Sequence, residues 1–146
     1  MRWRLVEPKA LIAALENLAK IGKLKREPAS ATETTGLLAS GTARLKDAKN
    51  AKLSFESRFD LAYNAAHAFA LAALRSHGYR SDNRYIVFQA LPHTAGLAAA
   101  HWRVLAKAHE KRNLAEYEGH FDIDLQLLDG MLAAADLVRA SIALEP

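Results

Sequence analysis

Between His109 and His120 the sequence reads HEKRNLAEYEGH. Arg112 is a permanent cation, and Asn113 is an amide that both donates and accepts hydrogen bonds. His109 and His120 carry the side chain whose proton affinity lies nearest neutrality. Such a set suits a phosphate-bearing ligand. Cleaving RNA without a metal needs a base for the 2′-hydroxyl, an acid for the leaving oxygen and a cation for the phosphorane charge. Arg112 is the candidate cation, and His109 and His120 are the candidate proton carriers. A phenol, with a reference pKa near 10, is a poor base at neutral pH, so Tyr117 is a candidate for binding rather than catalysis.

The residues before this stretch set its geometry. Trp102, Leu105 and Ala108 are apolar at helical spacing, and a helix over Ala98–Tyr117 is predicted. On a wheel of about 100° per residue with His109 at zero, Arg112 falls near 300°. Leu105 and Ala108 flank it at about 320° and 260°, while Glu116 lies near 340° and Asn113 near 40°. An arginine on that inward arc must be paired or must line a cavity. Two readings stand. In one, Arg112 and Glu116 form an i,i+4 ion pair that fixes register, with Asn113 bonded to a loop. In the other, Arg112, Asn113, Glu116 and Tyr117 line a shallow site for a phosphate or a base. His67 shares a face of the preceding long helix with Asp60 and Asn64. It either reaches the same cleft or is a satisfied core histidine. His77, before Gly78, suits a helix end, where the dipole favours a cation.

The elements that must hold these residues are helices. Alanine and leucine dominate, and both are strong helix formers. Pro8 fits the first turn of a helix predicted to run to about Arg26, ahead of Pro28. Ser30 and Glu33 have capping-box spacing for a second helix to about Asn50, weakened by Gly36 and Gly41. Ser54 caps the strongest helix, Phe55 to His77. Its apolar arc is wide enough to be central in a bundle or to face another subunit. A shorter helix is predicted over Arg84 to Thr94, with Pro92 able to kink it. Gly119 is a plausible stop for the Ala98 helix, and Asp122 or Asp124 caps the last helix, to about Ala143. No strand-like alternation appears. Short connections favour antiparallel neighbours. The expected fold is an all-α, up-and-down bundle of four to five helices (residues 28–146) with an accessory amino-terminal helix (residues 1–27).

Composition narrows the classes. The chain has 146 residues, 51% hydrophobic and 25% charged, which suits a globular core. It has no cysteine, so disulfides and thiolate metal sites are excluded and a reducing cytoplasm is expected. No signal peptide or membrane span is read in the amino terminus. No metal or other cofactor is expected: repeated Glu-x-x-His pairs, a glycine-rich phosphate loop and a nucleophile elbow are all missing. The net charge of +4 is uneven, with eleven Lys and Arg against five Asp and Glu in residues 1–53. That half can meet a phosphate backbone or an acidic partner, or it is a set of solvated lysines. No aromatic platform interleaves its charges.

The order LLASGTARLKDAKN, then FDLAYNAAHAFALAALRSHGY, then KRNLAEYEG resembles the HEPN superfamily of small prokaryotic helical bundles, over roughly Thr34 to Ala143. The most specific part is the Arg112–Asn113 pair. The resemblance implies a dimeric bundle in which two copies of the arginine-bearing helix meet at a cleft. It also implies a metal-independent ribonuclease, often a toxin paired with an antitoxin. The family's motif places a histidine four to six residues beyond the arginine pair. Here Tyr117 stands at that spacing, and His120 comes after seven intervening residues. Binding of a nucleotide, RNA or partner protein without efficient catalysis is therefore expected. The alternatives are a ribonuclease toxin using Arg112 with His109 or His120, and an accessory subunit of a nucleotidyltransferase.

Overall fold

The predicted helix beginning after Ser54 is the one around which the rest assembles. The computed structural model describes residues 8–118 and 124–142. Among them are seven helices: α1 (Pro8–Lys20), α2 (Ala31–Ala48), α3 (Phe55–Ser76), α4 (Arg84–Gln89), α5 (Leu91–Thr94), α6 (Ala99–Glu118) and α7 (Leu125–Ser141). The all-α bundle read from periodicity is present. Three of its helix starts sit on the caps read from sequence. Ser30 Oγ accepts the Glu33 N–H at 3.2 Å, Ser54 Oγ the Ser57 N–H at 3.1 Å, and Asp124 Oδ1 the Leu127 N–H at 2.7 Å. Each satisfies a donor that the first helical turn leaves without a partner. Gly119, Asp122 and Ala143 lie outside the described residues.

Two helix boundaries differ from expectation, and a short strand pairing is added. The first helix ends at Lys20, well before Arg26. Gly22 adopts φ +80°. Its N–H bonds to Ala19 O at 3.1 Å, and that of Lys23 to Leu18 O at 2.9 Å. Glycine tolerates this left-handed turn, and the chain reverses there. It then forms β1 (Lys25–Arg26), which pairs antiparallel with β2 (Tyr79–Arg80), Lys25 opposite Arg80. Two-residue strands are too short to show alternation. The helix predicted over Arg84–Thr94 is broken at Ala90 into α4 and α5, with Pro92 in the first turn of α5, where it lacks the N–H that would continue α4.

Helix α3 is central. Phe59, Ala62, Tyr63, Ala66, Phe69, Ala70 and Ala73 are buried. The helix packs along α2 and against α7, with α4, α5 and α6 also touching it. Its wide arc is thus covered by the chain's own helices. Leu15 of α1 and Leu24 after it join the same core.

Close packing of α2 on α3 depends on one glycine. A Cβ at Gly41 would lie 2.6 Å from Phe69 Cε1, whereas a Cβ at Gly36 would meet nothing within 4 Å. Gly41→Ala is expected to lower stability by about 1–3 kcal/mol through overpacking. Gly36→Ala, on an exposed helix face, should raise it by about 0.5–1 kcal/mol. Urea midpoints of the two variants should therefore move in opposite directions. A gain in both would show that the Phe69 ring swings aside.

The amino-terminal segment is fastened by arginines. Arg75 is 1% exposed. It donates to the carbonyls of Glu27 (2.9 Å), Pro28 (2.8 Å) and Tyr79 (3.2 Å) and pairs with the carboxylates of Glu33 and Glu27. Arg80 bonds the same two carboxylates at 2.7 Å (Glu27) and 2.6 Å (Glu33). Ser30 therefore caps α2 while the Glu33 side chain serves the arginines. Beside them, Arg26 and the Tyr79 hydroxyl both donate to Glu16. These bonds hold the Glu16 carboxyl down at about 2.

Candidate cationic site on α3, α4 and α6

Asp60, Tyr63, Asn64 and His67 follow one another at three- and four-residue steps, so α3 presents them on one face. Helix α4 brings Arg84, Tyr85 and Phe88 beside that face, and α6 brings His109, Arg112 and Asn113. Asn83 sets the start of α4 by accepting the Ile86 N–H at 3.2 Å. Arg84 and Tyr85 are thereby fixed in its first turn.

Tyr63 is the hub. It is 1% exposed, and a buried phenol needs a polar partner. Its oxygen lies 2.8 Å from His109 Nδ1, and Asn113 Nδ2 lies 3.2 Å from His109 Nε2. With the amide placed this way, Asn113 donates to Nε2, and Nδ1 carries the ring proton and donates to Tyr63. Turning the amide over reverses both bonds. In either arrangement the imidazole is neutral and both its nitrogens are engaged. Burial lowers the proton affinity of His109, and Arg84 and Arg112 lower it further.

Two guanidiniums flank the hub. The Arg112 carbon lies 4.9 Å from the Tyr63 ring centroid and that of Arg84 lies 5.3 Å from it. Arg112 Nε meets Asp60 Oδ1 at 3.4 Å, and Arg84 donates to Asn64 Oδ1 at 3.0 Å. Among the described residues no carboxylate pairs with Arg84. The rings of Tyr85 and Phe88 lie 6.2 and 6.5 Å from that of His109. His67 packs edge-on to Phe88 at 6.1 Å. It makes no hydrogen bond among the described residues. Burial pushes its pKa down to about 4, and Arg84 and His109 add to the shift.

Four residues singled out in the sequence are thus gathered here: His67, His109, Arg112 and Asn113. A carboxylate of α3, Asp60, meets Arg112 across the helix interface, and the Arg112 side chain is 27% exposed rather than sealed. Tyr117 projects into solvent at 89% exposure and does not line the cluster. The Glu116 side chain and His120 lie outside the described residues. His77 does end α3, but its Nε2–H donates to the Thr94 carbonyl at 2.9 Å. Burial lowers its proton affinity, against the direction a helix dipole would give. Arg84 and Tyr63 were not foreseen as site residues. The available signal was a tyrosine on an apolar arc, which must place its hydroxyl on something.

No protein-family model, curated protein or solved structure matches the chain. Function has to be read from the cluster itself.

An anion approaching the cluster meets two guanidiniums, the amides of Asn64 and Asn113 and the His109 imidazole, with the Asp60 carboxylate beside Arg112. As a general base, His109 is weakened by its lowered proton affinity. The same causes disfavour its protonated form, the form a general acid needs. Among the described residues no group of His, Asp and Glu could hold a metal ion. A cavity of about 480 Å³ lies elsewhere, between the Gly22 turn and the Arg80–Asn83 loop. Of its polar side chains, Arg80 is committed to two glutamates and Asn83 to the α4 cap. Of the two places, the cluster alone sets its cations on an aromatic ring beside a histidine. Among the described residues no helix is long and apolar enough to cross a membrane.

Proposed function

We propose that the α3–α4–α6 cluster binds the phosphate backbone of RNA and does not cleave it efficiently. One observation carries this reading. Arg84 and Arg112 converge on one buried tyrosine, and among the described residues no carboxylate pairs with Arg84. Two guanidiniums held on one aromatic ring favour an anionic ligand. The HEPN resemblance supplies the class of ligand, and it implies a homodimer that sets two such clusters at one cleft. A cytoplasmic setting fits a chain without cysteine.

A second reading, a metal-independent ribonuclease, is favoured by one feature. His109 touches Asn113 and lies beside Arg112, so a histidine stands next to the pair although the usual downstream one is missing. The engaged ring nitrogens weigh against it.

Fluorescence anisotropy with a labelled RNA strand at several salt concentrations tests the binding reading. Arg84→Ala and Arg112→Ala should each weaken binding and reduce the salt slope by about 1. The Asp60 side chain is 56% exposed and the contact is long at 3.4 Å, so loss of this pair should cost less than about 1 kcal/mol of stability. Unchanged slopes in both variants would overturn the reading. Rapid cleavage in chelator that vanishes in His109→Ala would establish the ribonuclease instead.

A further inference from the structure

We infer that phosphate binding at this cluster is coupled to uptake of a proton by His109, so that the site holds its ligand more tightly as the solution turns mildly acidic; this rests on the phosphate-binding reading above. The imidazole stands among cations. Arg84 approaches from α4, and Arg112 lies one turn further along α6. Burial lowers the proton affinity of His109 most, and these two arginines lower it further. Among the described residues its other titratable neighbours are Tyr63, Tyr85 and His67. The Tyr63 ring stacks at 6.1 Å and the Tyr85 ring tilts at 6.2 Å, while His67 is close enough for the two histidines to disfavour a charge on each other. Asp60 of α3 is engaged with Arg112 at 3.4 Å. A phosphodiester set on the two guanidiniums adds a negative charge beside the positive ones that disfavour the imidazolium. Part of what keeps the ring neutral is then cancelled, and its proton affinity rises.

The hydrogen bonds permit the change. His109 Nδ1 lies 2.8 Å from the Tyr63 oxygen, and Nε2 lies 3.2 Å from the Asn113 amide. A hydroxyl and an amide can each accept as well as donate. Once Asn113 turns its oxygen to Nε2, an imidazolium donates at both nitrogens and loses neither bond. His67 has no such pair of partners. It makes no hydrogen bond among the described residues, so a proton there would be a buried charge without an acceptor. The two histidines therefore divide: His67 answers to acid through the fold, His109 through the ligand. Linkage fixes the sign. The free-state pKa of His109 lies below the ordinary 6.5, and the bound phosphate raises it. Between the free and bound values binding takes up a proton, so affinity rises as pH falls through that window, and well above both values no proton is exchanged.

The test uses the full chain and a ten-nucleotide uridine RNA strand with hydroxyl ends, in which neither phosphodiester nor base titrates between pH 6 and 8. Calorimetry in two buffers of different ionisation enthalpy counts the protons taken up on binding. Wild type should gain roughly three- to tenfold in affinity from pH 8 to 6, with uptake rising towards about one proton per site at the lower pH. His109→Gln keeps an amide for both partners but has no titrating group, and most of that gain and uptake should vanish. His67→Gln should retain both. In isotope-labelled wild type the His109 imidazole, assigned through its backbone, should titrate at higher pH with the strand than without it, a readout that needs no variant to fold. An unmoved His109 titration, or equal proton uptake by wild type and His109→Gln, would overturn the inference. Uptake lost in His67→Gln instead would overturn it too, by assigning the proton to the other ring. If Arg84→Ala and Arg112→Ala still lower the salt slope in those cases, phosphate binding stands and only the proton coupling falls. If both variants leave the slope unchanged, both fall together.

Discussion

Replacing Arg75 with methionine should cost about 3–5 kcal/mol, the scale for removing one partner of a buried ionic network. The guanidinium is 1% exposed and serves the carbonyls of Glu27, Pro28 and Tyr79 as well as two carboxylates. Methionine fills much of the volume but donates nothing, so those buried acceptors lose their partners. Arg80 remains beside Glu27 and Glu33 and offsets part of the loss of charge. For a chain of this length the melting temperature should drop by roughly 10 °C. Arg75→Lys should recover only part of the loss, because an ammonium cannot reproduce the planar fork. Guanidinium denaturation of the three proteins gives the comparison. A loss below about 1 kcal/mol for methionine would mean that water replaces the guanidinium and that the network contributes little.

Acid should weaken the fold well above the carboxylate range. Burial, with Arg84 and His109 nearby, lowers the pKa of His67 to about 4 from an ordinary 6.5. A group with a depressed folded-state pKa contributes its full stability above the unfolded pKa. That contribution is lost as pH falls through the folded value. The window for His67 is therefore pH 6.5 down to 4, and the shift corresponds to about 3 kcal/mol. His77 and His109 are displaced in the same direction, so they add to the same slope. The Glu16 carboxyl acts in a lower window, from 4.5 to about 2. Denaturant midpoints measured from pH 7.5 to 4 should fall steeply for wild type. In His67→Gln the fall should be much shallower. Parallel curves for the two proteins would show that His67 charges freely in the folded state.

The helices and three of their starts were legible because their causes are local. Ser30, Ser54 and Asp124 each act within three residues, and apolar spacing reports a helix wherever one face is buried. The turn at Gly22 was missed because Lys23–Arg26 continues a helix-compatible composition. Only the left-handed glycine and the distant strand Tyr79–Arg80 stop it. The site was half legible for a related reason. A helical wheel correctly turned Arg112 away from open solvent, yet it sees only its own helix, so it could not show Asp60. Arg84 and Tyr63 meet across two helix contacts that no spacing rule encodes. Arg75 carries no local sign of its burial. It is buried because Glu27 to Ser30 folds back over it.

The Lys25–Arg80 pairing also bears on the order in which the molecule assembles. It joins positions about 55 residues apart, whereas α2 and α3 are connected by Lys49–Ser54 alone. Closing the longer loop costs about 2 kcal/mol more in chain entropy than closing the shorter one. The α2–α3 hairpin, with Gly41 seated on Phe69, is accordingly the natural nucleus of folding. The amino-terminal strap docks onto it afterwards, and the arginine cluster around Glu27 and Glu33 forms only when that late step is complete.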